Sequence, residues 1–264
     1  MKLSAKIHTL IQFFQYIKLS KTKFKVHSPF VFHFILNILE KPELLAIKKN
    51  QELKQYYQRE LKQLTASANG GAGSQVLGTK QVAVTKFIKK LGLPEKYGSI
   101  LAHLSLLQDH STIIELGGSL GISTSFLARN PRNKVYSIDI NREVQTHCKK
   151  AFEALDIKNV DWINASFDDV LEDLCRDEKN ISLAFIDGNH QKDATLRYFD
   201  ILLKHANENT VLVFDDIHWS KEMTEAWEQI SQNINVTLSI DLFRIGIVYL
   251  NKNRKEKEEF ILWY

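Results

Sequence analysis

Three glycines fall within five residues in the stretch Thr112-Ile113-Ile114-Glu115-Leu116-Gly117-Gly118-Ser119-Leu120-Gly121-Ile122-Ser123-Thr124. A β-branched apolar run ends in a carboxylate, and apolar residues return at helical spacing after Gly121. The stretch therefore reads as strand, tight turn and helix. Glycine adopts positive φ without strain and lets a ligand come close to the backbone, while a helix start points free N–H groups at the same place. Such a corner handles nucleotides.

The spacing narrows the ligand. A dinucleotide fingerprint runs G-x-G-x-x-G, whereas here the order is G-G-x-x-G with Glu115 two residues before the first glycine. A carboxylate at that point repels a pyrophosphate and suits a ligand that carries an ammonium and a sulfonium, as S-adenosylmethionine does. Further acids close the later apolar runs: Asp139, Asp187, and the pair Asp215-Asp216. In an open parallel sheet, ligands lie outside the carboxyl ends of the strands, where all of these would stand. Asp139 follows Gly117 by about twenty residues, the separation at which a carboxylate accepts the ribose hydroxyls of a bound adenosine.

These residues resemble the class I S-adenosylmethionine-dependent methyltransferases, nearest to the catechol and caffeoyl-CoA O-methyltransferases, whose first motif E-L-G-x-x-x-G-x-S corresponds to Glu115-Leu116-Gly117 through Gly121-Ile122-Ser123. The likeness covers roughly residues 100–250. It implies a cofactor set of Glu115, Gly117, Gly118, Ser119, Gly121, Ser123, Asp139, Ala165, Ser166 and Asp187. Ala165 and Ser166 close the third strand, where the family contacts adenine. Ser166 followed by Asp169 fits a helix cap equally well, through different atoms.

If the strands ending at Asp187 and Asp215-Asp216 are neighbours, about 4.8 Å apart, three carboxylates converge. Two of them at 4 Å repel by roughly 1 kcal/mol in water and about 4 at an effective dielectric of 20. Two neutralisers fit. One is a hard divalent cation such as Mg²⁺, with Asp187, Asp215 and Asp216 as its oxygen ligands, which is what resemblance to the metal-dependent catechol enzymes implies. The other is His190 and His218 as imidazolium partners. His190, three residues after Asp187, stands where the catechol-type enzymes carry a lysine base. With Asp187 it forms the candidate catalytic pair.

The elements that must position these groups alternate. Strand patterns at 112–116, 134–139, 160–163, 182–187 and 210–215 are each followed by a helical pattern, which implies a parallel sheet with covered faces. Two closing strands, 235–241 and 243–250, are joined too tightly for a crossover and must be antiparallel. The expected fold is thus α/β: a Rossmann-like, seven-stranded methyltransferase sheet, mostly parallel with a C-terminal antiparallel hairpin, behind a helical N-terminal extension. The domain reading is an extension over 1–66, a Gly-rich loop over 67–78 that could act as a lid or a joint, and a cofactor-binding domain over 79–264. Residues 79–91 read as a helix and 251–259 as a charged surface stretch.

In the extension, Ile7, Leu10, Ile11, Phe14 and Ile17 recur at the spacing of an amphipathic helix. The segment His27-Ser28-Pro29-Phe30-Val31-Phe32 starts a second helix, with Ser28 as cap. It is similar in pattern to openings of bacterial methyltransferases of Bacteroidetes type. Its phenylalanines suit packing on the main domain or on a second subunit, hence a homodimer, and His27 and His33 read as packing residues.

The net charge of +4 is uneven. Residues 1–66 hold twelve Lys/Arg against four Asp/Glu, leaving 23 against 27 for the rest. A basic extension on a mildly acidic domain suits an anionic partner as well as it suits water. Two cysteines, Cys148 and Cys175, without metal-ligand spacing point to a reducing cytoplasm. No run is apolar enough for a transmembrane segment. The expected function is methylation of an oxygen on a small-molecule acceptor with S-adenosyl-L-methionine as cofactor, assisted by a divalent cation if the acids bind one. The alternatives are a methyltransferase acting on RNA or another large anion through the basic extension, and a non-catalytic cofactor-binding or membrane-peripheral protein.

Overall fold

The computed structural model describes residues 2–61, 63–66, 80–83, 85, 88, 92–251 and 256–264. The loop expected over 67–78 lies outside the described residues. In chain order the elements begin with α1 (Lys2–Leu19), α2 (Pro29–Phe34), α3 (Leu44–Glu60), β1 (Gln63–Ala66), β2 (Lys80–Ala83) and α4 (Glu95–Leu106). The alternating part follows as β3 (Thr112–Leu116), α5 (Ile122–Leu127), β4 (Lys134–Ile138), α6 (Arg142–Ala154), β5 (Val160–Ile163), α7 (Phe167–Asp177), β6 (Ile181–Ile186) and α8 (Lys192–His205). The chain closes with β7 (Val211–Phe214), α9 (Lys221–Gln232), β8 (Leu238–Asp241), β9 (Gly246–Tyr249) and β10 (Glu258–Ile261). This is a mixed α/β fold with an eight-stranded sheet, mostly parallel with antiparallel C-terminal strands, and a helical N-terminus.

Two compact units divide the chain: Pro42–Leu174, and Met1–Lys41 together with Cys175–Tyr264. In the first, β3, β4 and β5 run parallel, with Glu115 opposite Ser137 and Ser137 opposite Trp162. All five residues of β3 are buried, as a strand covered on both faces requires. The helix α3 packs Leu53 and Tyr57 into one cluster with Leu120, Ile122, Val144, Cys148 and Phe152. Each such side chain, fully buried, contributes about 1.5–3 kcal/mol. The helix α3, from the span read as extension, thus lies in this unit with its apolar stripe on the glycine turn.

In the second unit, β6 and β7 are parallel, β9 is antiparallel to both β7 and β8, and β10 is parallel to β8. The expected closing hairpin is β8–β9. The eighth strand, β10, comes from a segment whose charges suggested a surface stretch. It takes the last two residues of that stretch, Glu258 and Glu259, together with Phe260 and Ile261, which pair with Ile240 and Asp241 of β8, while the stretch stays exposed at 256, 257 and 259. The helix expected over 79–91 differs at its start, where residues 80–83 pair antiparallel with β1, Lys80 opposite Ala66, while 85 and 88 are helical. Propensity alone leaves helix and strand open here, and the partner strand decides it. His27 and His33 are exposed rather than packed.

Candidate active site

The glycine turn between β3 and α5 is built from local strain that its composition tolerates. Gly117 and Gly121 have φ of 99° and 71°, and Ser119 between them is also positive at 43°. A Cβ on Gly118 would sit 2.0 Å from Ser137 Oγ and 3.0 Å from Glu115 Oε2, so that position admits only glycine for steric reasons. The N–H of Gly117 reaches Ile138 O at 2.9 Å, and the N–H of Gly121 reaches Gly118 O at 2.7 Å.

Glu115 has no exposed surface. Its Oε2 accepts the hydroxyls of Thr124 and Ser137, the latter at 2.7 Å, and its Oε1 has no hydrogen-bond partner. Burial pushes its pKa up, and the hydroxyls of Ser123, Thr124 and Ser137 oppose that shift. The carboxylate expected to meet an ammonium is thus held in the interior and faces hydroxyls of α5 and β4. Ser123 is buried beside it.

Asp139 stands just past β4 and is half-buried. Its Oδ2 accepts the N–H of Ser119 at 2.9 Å and its Oδ1 the N–H of Asn141 at 2.8 Å. Burial raises its pKa, and these two N–H groups pull it back. Each oxygen spends one lone pair on the backbone and keeps capacity for another donor. Nearby, the Asn164 amide donates to Asp139 O at 3.0 Å. Ser166 Oγ accepts the Asp169 N–H at 3.3 Å, the cap geometry, and Ala165 is half-buried next to it.

The acids of the other unit are neutralised from an unexpected direction. Arg244, in the turn between β8 and β9, forks onto Asp215: Nε to Oδ1 and Nη2 to Oδ2, both at 2.9 Å. Its Nε also lies 3.9 Å from Asp216 Oδ1. Asp215 is almost fully buried. Asp216 sits at φ 53° and has its pKa pushed up to about 6, first by burial and then by the charge of Asp215, with His190 and Arg244 opposing. His190 Nε2 lies 3.6 Å from Asp187 Oδ1. His218 pairs instead with Asp241, Nε2 to Oδ2 at 2.8 Å, and stacks on Phe243. Among the described residues, no group of three or more His, Cys, Asp or Glu is arranged to hold a metal ion. With both Asp215 oxygens engaged by a guanidinium, the three acids do not fit a divalent cation.

Residues 114–217 match a family model described as a methyltransferase domain. The chain is also similar in structure to a Podospora anserina methyltransferase, PaMTH1, solved with SAH: TM-score 0.56, 11% identity, covering 77% of this chain and 88% of that one. An O-methyltransferase from Bacillus cereus in complex with SAH gives a TM-score of 0.51 at 18% identity, covering 75% and 96%. The O-methyltransferase TomG of Streptomyces achromogenes, which is involved in tomaymycin synthesis and was solved with SAM, gives 0.53 at 14% identity, covering 83% and 94%. No curated protein shows a significant sequence match.

The fold is that of a class I methyltransferase.

Within this methyltransferase fold, several residues that hold the turn were not among the sequence candidates. Tyr57 donates its hydroxyl to Leu120 O at 2.8 Å, Cys148 Sγ reaches Ser119 O at 3.2 Å, and the Asn50 amide bonds Ile122 O and Ser125 Oγ at 2.9 and 2.8 Å. Asn50, Leu53 and Tyr57 recur at i, i+3 and i+7 on α3, so a buried stripe was present in the sequence. The surrounding lysines and glutamines obscured it. Arg244 carried no signal beyond its position in a hairpin turn.

Proposed function

We propose that the protein transfers a methyl group from S-adenosylmethionine to an oxygen of a small molecule. The observation that carries this reading is Asp139 clamped to Ser119 across a glycine turn, within a span that matches a methyltransferase domain. Asp139 would accept the two ribose hydroxyls with its remaining lone pairs. The exposed edges of Gly117 and Ser119 would border the same ligand, and Ala165 and Ser166 would flank its adenine. Gly118, Gly121, Ser123 and the buried Glu115 would act by fixing the turn.

When bound, S-adenosylmethionine supplies an activated methyl on its sulfonium. The protein has then to align the acceptor and exclude water. His190 would take the proton from the acceptor hydroxyl. Asp187 Oδ1 lies 3.6 Å from His190 Nε2. No step passes through a metal. The B. cereus neighbour is described as an O-methyltransferase, and the S. achromogenes one as an O-methyltransferase involved in tomaymycin synthesis, which supports the acceptor class.

Calorimetric titration with S-adenosylhomocysteine tests the reading. Wild type binds, and Asp139→Ala binds roughly 10- to 100-fold more weakly, as the loss of one or two charge-assisted hydrogen bonds implies. Absence of wild-type binding, or unchanged affinity in the variant, would overturn it.

A further inference from the structure

The helix α1 is turned inside out. Ile7, Leu10, Ile11, Phe14 and Ile17 form one stripe along it, and all five are exposed, Phe14 most at 63%. The opposite side holds His8, Thr9 and Tyr16 with Phe13, and that side makes the contacts, Phe13 edge-on to Phe243. His8 Nε2 pairs with Thr224 Oγ1 at 3.0 Å, Thr9 Oγ1 donates to Trp219 O at 3.2 Å, and the buried Tyr16 donates its hydroxyl to Leu262 O. An amphipathic helix whose partner is its own domain buries its apolar face. Here the other face is spent on the domain, and the apolar one is left for something outside this chain.

Charge selects the occupant. Between Met1 and Ser28 stand six lysines and no Asp or Glu. Lys6 and Lys18 are exposed on α1 itself, and Lys21 and Lys25 follow its end. Beside that end, Trp263 is half-exposed with its ring stacked on Tyr16, and Phe24 is almost fully exposed between Lys23 and Lys25. A second copy seated on the stripe would bring two such lysine sets together, and among their described members Lys23 is paired, with Glu40. Nucleic acid would satisfy the lysines and could stack on Phe24, but it would leave the aliphatic stripe of Ile7, Leu10, Ile11 and Ile17 in water. An anionic bilayer satisfies both, with apolar side chains entering the acyl boundary, lysines at the headgroups and aromatic rings at the interface.

We propose that α1 is an interfacial helix that seats this protein on anionic phospholipid, where it would meet acceptors dissolved in or presented at the membrane. No helix among the described residues is long and apolar enough to cross one. The contact is therefore peripheral, and it does not depend on the proposed methyl transfer.

The test uses the full chain and flotation with two vesicle types, one of equal parts phosphatidylcholine and phosphatidylglycerol, the other phosphatidylcholine alone. The protein should float with the first far more than with the second, and added salt should release it. Leu10→Gln combined with Phe14→Gln should abolish flotation. Lys6→Gln and Lys18→Gln should each weaken partitioning roughly fivefold, the worth of one lysine near an anionic surface. Unchanged circular dichroism and S-adenosylhomocysteine affinity in these variants would show that only the surface was altered. Absence of flotation would overturn the proposal. So would a light-scattering mass twice that of the chain that the Gln pair returns to a monomer, since a second copy would then cover the stripe.

Discussion

Arg244 and Asp215 meet in a two-pronged pair, both contacts at 2.9 Å, with the carboxylate almost wholly buried. A guanidinium held this way does for the acids at the ends of β6 and β7 what a divalent cation does elsewhere, and it does so from a hairpin turn 29 residues further along the chain. Removing it leaves a buried charge without a partner, a loss that costs about 3–5 kcal/mol. Arg244→Met should therefore lower the urea midpoint sharply. Arg244→Met with Asp215→Asn should recover much of the loss, because the orphaned charge is gone. Chelation of divalent ions should leave the midpoint and turnover of the wild type unchanged.

Asp216 titrates in a range that stability measurements can reach. Its folded pKa of about 6 stands above the ordinary 3.8, so the folded state favours the protonated form. The stability this lends is full below about pH 4 and is lost as pH rises through about 6. Asp216→Asn cannot ionise, and asparagine tolerates the left-handed backbone at this position. The variant should match wild type near pH 4 and exceed it near pH 8, by at most about 3 kcal/mol for a shift of about two units. Thermal melts across that range would show the crossover, and parallel curves would refute it.

Gly118 has no room for a methyl group, and the atom in the way is known. Gly118→Ala should destabilise the protein by about 1–3 kcal/mol through overpacking and weaken S-adenosylhomocysteine binding. Because the first obstacle is Ser137 Oγ at 2.0 Å, Ser137→Ala in the same chain should restore part of both. A double-mutant cycle with no coupling would mean that the turn yields in another way.

Tyr57 reaches the turn from α3 and donates its hydroxyl to Leu120 O. Tyr57→Phe keeps the packing and strands that buried carbonyl, at a cost of about 1–3 kcal/mol. Since Leu120 lies between Ser119 and Gly121, cofactor affinity should fall with stability. Calorimetry and denaturation on the same variant would show whether the two losses travel together.

The sequence by itself determined what depends on neighbours a few residues apart. Alternating apolar runs and helical patterns gave the α/β order, the glycines gave the turn at 117–121, and the interval to Asp139 gave the carboxylate that now holds Ser119. These are properties of local backbone conformation and of periods of two and 3.6, and they survive without knowledge of the rest of the chain. Tertiary structure alone decided who partners whom. Glu115 and Asp215 are both acids closing apolar strands, and their spacing looks alike. One is buried under hydroxyls from α5 and β4, while the other is clamped by Arg244. The same holds for α1: its pattern states that it has an apolar face, and only the fold states that this face looks outward. A pairing between distant residues is set by where the sheet and its turns bring them, and periodicity carries no record of that.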